Sequence, residues 1–111
     1  MNGLERGFVE QAFDSNWLST VGPNLSAFEA EMSDKLNGLA TLAVSSGTAA
    51  LHLVLRAAGV GQGDTVALST LTFAGSLYPI LYLGAEPVFI DSERESWNMD
   101  PGLLEGYLRR A

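Results

Sequence analysis

The chain has 111 residues, of which 47% are hydrophobic and only 17% charged, and thirteen acidic against six basic side chains give a net charge of −7. Soluble domains carry about 25% charged residues on average, and a chain this short buries only about two-thirds of its unfolded surface, so a self-sufficient domain of this size needs more polar surface than this one has. The composition excludes intrinsic disorder, and the acidic balance disfavours nucleic acid and anionic membranes; a small anionic ligand stays open, because backbone N–H groups bind phosphate whatever the net charge.

The first element in chain order is a helix over residues 3–14, where Leu4, Phe8, Ala12 and Phe13 recur at helical spacing. Asn16 to Asn24 is turn-rich and holds Gly22-Pro23. Leu25, Phe28, Met32 and Leu36 mark a second helix, with Ser26 and Glu29 spaced as a capping box and Gly38 at its end. Leu42 to Val44 reads as a short strand and Ser45-Ser46-Gly47-Thr48 as the turn after it. Leu51, Val54, Leu55 and Ala58 trace the buried face of a third helix, ending at Gly59. After the turn Gly61-Gln62-Gly63-Asp64 come a strand at Thr65–Ser69, an almost wholly apolar helix from Phe73 to Leu83 that Pro79 kinks or limits, and a strand at Pro87–Ile90. A polar loop from Asp91 to Asp100 leads to a last helix with Pro101 at its first position. The order β-α-β-α-β-α from residue 42 predicts an α/β layer with parallel strands.

Some classes of chemistry find no support. The chain has no cysteine, hence no disulfide and no thiolate chemistry, which sets a cytoplasmic expectation. No basic segment followed by an apolar run opens the sequence, and the apolar stretch Leu77–Leu83 is far short of a membrane span. His52 has no ligand-spaced partner, so no metal site is expected, and it forms no triad with Ser45 or Ser46. Lys35, the only lysine, falls on the polar side of the second helix. Gly59, Gly61 and Gly63 follow a helix rather than a strand and read as a cap and turn, not as a dinucleotide fingerprint.

The strongest local signal is strand–Ser45-Ser46-Gly47-Thr48–helix. A glycine there lets a ligand approach the backbone, the helix start offers unpaired N–H groups and a positive dipole end, and Thr48 adds a hydroxyl. The same residues also suit a plain helix cap by Ser46 or Thr48. Phe73, just beyond the second strand, stands where ligands bind in parallel sheets and could stack on a planar ring, or it could belong to the core.

At these residues the sequence resembles the DegT/DnrJ/EryC1/StrS sugar aminotransferases, which use pyridoxal 5′-phosphate (PLP). The pieces that carry the likeness are Asn16-Trp17-Leu18 with Gly22-Pro23, Phe28-Glu29, the run from Ser45 to Leu53, Gly63 to Val66, Ser69 to Phe73, Tyr82 to Asp91, and Trp97 to Pro101. The resemblance implies the N-terminal part of the type I PLP-aminotransferase large domain, an α/β fold of three strands alternating with helices, preceded by two helices. It divides the chain into residues 1–24, an N-terminal helix and a loop at the active-site mouth, and residues 25–111, an incomplete PLP-binding large domain. It implies that Gly47 and Thr48 bind the cofactor phosphate and that Phe73 lies against the ring, while Glu29, Asp91 and Asp100 are structural. It further implies a homodimer, L-glutamate as amino donor and a nucleotide-linked keto sugar as acceptor, nearest to UDP-4-keto-6-deoxy sugars of bacillosamine type.

In that family the Schiff-base lysine lies beyond the matched region, so the 111 residues alone are expected to be inactive. The resemblance also implies that the first strand lies across the sheet from the second and third, so it is expected to find no neighbour in the chain and to leave apolar faces and strand edges uncovered. The competing reading is a non-enzymatic α/β module that binds a phosphorylated ligand or a partner.

Overall fold

The computed structural model describes residues 3–111. They form two compact units, one up to residue 43 and one over 44–111. The division by function expected from the sequence, after residue 24, falls inside the first unit.

The first unit holds α1 (Leu4–Asp14) and α2 (Pro23–Lys35). Helix α1 ends where Asn16 turns left-handed (φ 56°) and Trp17 N–H bonds the Ala12 carbonyl at 3.1 Å. Gly22 then takes φ 148°, and a Cβ there would lie 3.1 Å from the Trp17 ring, so the glycine lets the indole close over the start of α2. Pro23 fills the first turn of α2, two residues earlier than Leu25, from which the sequence pattern starts the helix. That early start removes the capping box expected of Ser26 and Glu29. Ser26 N–H already bonds the Gly22 carbonyl at 3.1 Å, and the Glu29 carboxylate instead accepts the Ala43 N–H at 2.9 Å. Glu29 thereby ties α2 to the extended segment after it. Lys35 sits in the last turn of α2, where a cation suits the helix dipole.

The strand expected at Leu42–Val44 does not form. A strand exists only by pairing, and among the described residues the sole sheet has two strands, β1 (Thr65–Ser69) and β2 (Glu86–Ile90). They run parallel with Thr65 opposite Glu86 and Ser69 opposite Ile90. Thr70 extends the ladder by one rung, since its N–H and its hydroxyl both donate to the Ile90 carbonyl at 2.9 Å.

Helix α3 (Gly47–Ala57) precedes the sheet. It ends in a left-handed Gly59, with Val60 N–H bonded to the Leu55 carbonyl at 3.0 Å, and the Asp64 carboxylate closes the next turn on the Gly61 N–H at 2.8 Å. These bonds account for the Gly59–Gly63 cluster as a cap and a turn. The apolar run expected as one helix from Phe73 to Leu83 is broken. Phe73 is extended, Ala74–Ser76 form a 3₁₀ turn, and α4 covers only Tyr78–Tyr82. Proline lacks an N–H and fits only the first turn of a helix, so Pro79 sets where α4 begins.

Leu68 from β1, Ile80 from α4 and Ala85 before β2 form the core cluster, with Leu55, Val60, Val66 and Leu77 packed against it. Of the predicted buried face of α3 only Leu55 joins this cluster, while Leu51 and Val54 are exposed. Helix α5 (Pro101–Leu108) is capped by Asp100, whose carboxylate accepts the Gly102 and Leu103 N–H groups at 2.7 and 3.1 Å. The Tyr107 hydroxyl lies 3.2 Å from that of Thr65 and fastens α5 to the start of β1.

The loop from Asp91 to Asp100 is organised around Glu93. Its carboxylate accepts the Ser96 hydroxyl and the N–H groups of Glu95 and Ser96, the latter two at 2.6 and 2.7 Å, while Trp97 is held left-handed at φ 63°. The Ser96 hydroxyl, with the Glu95 and Ser96 amides behind it, holds the Glu93 carboxyl below the usual glutamate range. A carboxylate depressed in the folded state stabilises above its unfolded pKa and loses that contribution as pH falls through its folded one. The Glu95 and Ser96 amide resonances will therefore titrate together with a midpoint below that of free glutamate, and Glu93→Gln will abolish the transition. Replacing Ile80, which is 2% exposed, by alanine will cost about 2–5 kcal/mol in urea unfolding, against about 0.5 kcal/mol or less for an exposed polar position such as Gln62→Ala.

Candidate functional site

The candidate site lies in the second unit, where the start of α3 meets the loop leaving β1. Ser46 is extended, its hydroxyl accepts the Ala49 N–H at 3.1 Å, and its carbonyl accepts the Ala50 N–H at 3.0 Å. The amides of Gly47 and Thr48 come before the first intrahelical donor and have no acceptor in the helix. Of the two uses of this turn suggested by the sequence, the helix cap forms, and it does so without consuming the donors that the other use needs. Ser46 caps the helix, and Gly47 and Thr48 keep free donors at the positive end of an eleven-residue helix.

Thr70, bonded to Ile90, directs the chain out of β1 into Leu71-Thr72-Phe73. Phe73 is 84% exposed and does not belong to the core. The loop turns tightly beneath it through a bond from Ser76 N–H to the Phe73 carbonyl at 2.9 Å. Gly75 is buried at the centre of this turn. A Cβ on it would lie 2.7 Å from the Thr48 hydroxyl and 2.9 and 3.0 Å from Cδ1 and Cε1 of Phe73. The missing side chain is what lets the Thr48 hydroxyl and the Phe73 ring meet over the same backbone atom. Gly75 was not singled out by sequence; its only signal is a glycine inside an apolar run that a regular helix would disfavour.

His52, one turn after Thr48 on α3, lies with its ring 5.8 Å from that of Tyr82 and steeply inclined to it, and Tyr82 in turn stacks on Tyr78 at 6.1 Å. Lys35 belongs to the first unit. Past the strand ends a cleft of about 200 Å³ is lined by Thr70, Leu71, Asp91, Ser92 and Trp97, and the buried Ser92 hydroxyl there has no hydrogen-bond partner. Among the described residues no three His, Asp or Glu side chains gather as a metal site, and no helix is long and apolar enough to cross a membrane.

This arrangement is that of an α/β protein with unpaired backbone donors at a helix start and an exposed aromatic ring beside them. Residues 2–110 match the DegT/DnrJ/EryC1/StrS aminotransferase family, and the chain belongs to that family. It is 45% identical over its whole length to EpsN of Bacillus subtilis (strain 168), named as a pyridoxal phosphate-dependent aminotransferase, and 38% identical over 95% of its length to the GDP-perosamine synthase of Escherichia coli O157:H7. In each case it spans 29% of the relative's length. The fold matches the sugar aminotransferase Spr1654 of Streptococcus pneumoniae in its PLP form, with a TM-score of 0.77 and 33% identity over 88% of this chain and 26% of that one. The α/β class and the PLP-dependent sugar aminotransferase family expected from the sequence are thus established.

The residues present fit the phosphate and one ring face of PLP, with the Gly47 and Thr48 amides and hydroxyl on one side and the exposed Phe73 ring on the other. Replacing Gly75 with valine will push these apart, at an overpacking cost of about 1–3 kcal/mol, and will abolish nuclear Overhauser contacts between the Phe73 ring and Thr48.

Proposed function

We propose that this chain is the phosphate-binding, N-terminal portion of a PLP-dependent aminotransferase that moves an amino group from L-glutamate to a nucleotide-linked keto sugar. The observation that carries this reading is the convergence of the Thr48 hydroxyl and the Phe73 ring on Gly75, beside the unpaired amides that open α3. Gly47 and Thr48 bind the cofactor phosphate through backbone N–H groups and a hydroxyl, which fixes one end of the cofactor. Phe73 covers one face of the pyridine ring, excludes water from it and restricts its tilt. When bound, PLP supplies an electron sink for labile C–H bonds. The catalytic lysine and the partner of the pyridine nitrogen come from segments other than these residues. In the working enzyme, residues 1–24 bring a helix and a loop to the active-site mouth, residues 25–111 belong to the PLP-binding large domain, and two copies assemble as a homodimer.

Sugar chemistry is supported by the names that relatives carry, among them GDP-perosamine synthases and a spore coat polysaccharide biosynthesis protein. The acceptor is a 4-keto-6-deoxy sugar on a nucleoside diphosphate; the sequence likeness at Asn16–Asn24 and Phe89–Pro101 favours UDP, and the perosamine relatives favour GDP.

Two measurements test this. The 111 residues alone will bind PLP weakly and turn over no keto sugar; a stoichiometric borohydride-stable lysine adduct with turnover would refute the assignment. In a polypeptide that joins these residues to a lysine-bearing active-site segment, glutamate-dependent amination will be seen with UDP- or GDP-4-keto-6-deoxy sugars. There Thr48→Val will lower PLP affinity by about tenfold, as expected for a hydrogen bond to a charged group. Phosphate binding without amination of either sugar would instead favour a non-enzymatic binding module.

A further inference from the structure

Phe73 has an unusual problem for a residue meant to hold a ring in place. It is 84% exposed, so packing does not fix it, and its backbone is extended between β1 and a single 3₁₀ turn. The residues on either side supply what packing does not. The hydroxyls of Thr72 and Ser76 lie 2.9 Å apart, one position before Phe73 and three after it. One donates to the other across the tip of the loop. This bond joins two side chains and satisfies no backbone group, so it does not serve as a helix cap. Together with the backbone bond from Ser76 N–H to the Phe73 carbonyl it closes the turn from both its side-chain and main-chain faces, over the buried Gly75.

We propose that Thr72 and Ser76 are positioning residues that clip the loop so that Phe73 is preorganised as the wall of the cofactor ring site; this rests on the cofactor reading above. The two hydroxyls act through Phe73 and not on the phosphate, whose donors lie at the start of α3. Loss of the clip frees the loop, and binding must then order it again at an entropic cost. The effect falls on ligands that carry a ring and spares those that are phosphate alone.

The test titrates the 111-residue chain with pyridoxine 5′-phosphate, which has ring and phosphate but no aldehyde to react with Lys35, and separately with inorganic phosphate. Amide shifts at Gly47 and Thr48 report the phosphate, ring-current shifts of the probe report Phe73, and the amides of Ala49 to Leu55 report that α3 stays folded. Thr72→Val and Ser76→Ala are expected to weaken pyridoxine 5′-phosphate about three- to tenfold, the loss of one hydrogen bond, and to leave inorganic phosphate unchanged. Thr72→Ser and Ser76→Thr, which keep the hydroxyls, are expected to retain wild-type affinity. Equal weakening of both probes, or no change in either, would overturn the positioning role while leaving the cofactor reading intact. Failure of the unaltered chain to bind either probe would overturn this inference for the chain, whereas the cofactor reading stands or falls on the joined polypeptide described above.

Discussion

The cluster of Leu68, Ile80 and Ala85 joins β1, α4 and the entry to β2, and Leu55 brings α3 onto it. Everything at the candidate site depends on that contact. The start of α3 and the loop after β1 are separated by more than twenty residues, and nothing local holds them together. Apolar burial through Leu55 and Leu77 sets the distance at which Thr48 faces Gly75. Burial is non-directional, so it brings the elements together without setting their fine geometry. The geometry comes from hydrogen bonds and from one absent side chain. Thr70 on the Ile90 carbonyl directs the loop, and Gly75 permits the final approach.

Much of this was legible in the sequence because it is written locally. Ser46 before Gly47, Gly59 past the third helix and Pro101 at the first position of the last one mark helix ends through the conformations of a few adjacent residues, and the structure realises each of them. The strands at 65–69 and 87–90 were equally plain, being short apolar runs between turn signals, and the second begins one residue earlier, at Glu86. What failed was non-local. Leu42–Val44 has the composition of a strand, but a ladder needs a neighbour that no local pattern supplies. Ser26 and Glu29 have the spacing of a capping box, but Pro23 starts the helix earlier, and Glu29 is free to reach Ala43 across fourteen positions. The apolar texture of residues 73–83 suggested a continuous helix, whereas the sheet's exit and Pro79 impose a turn and then a short helix.

The site shows the same division. Gly47, Thr48 and Phe73 could be named because a helix start after a strand and an aromatic at a strand end are patterns with known physical uses. Whether Phe73 belonged to the core could not be decided from an apolar neighbourhood; its exposure takes it out of the core. Gly75, Thr72 and Ser76 matter only through what stands beside them in space. A small residue and two hydroxyls in a loop carry no signal until Thr48, twenty-seven positions earlier, is seen to come within reach of Gly75.

Helices α1, α2, α3 and α4 end alike, with a left-handed residue just past the last turn, at Asn16, Asn37, Gly59 and Gly84. In each, the amide of the following residue returns to a carbonyl in the helix's last turn: Trp17 to Ala12, Gly38 to Ser33, Val60 to Leu55 and Ala85 to Ile80. Each stop is made by a handful of adjacent residues and needs no help from the sheet or from another helix. The point where each helix stops is therefore written locally, while helices of 5 to 13 residues depend on packing to be populated at all. A change in what covers them alters how firmly they are held without moving the residues at which they end.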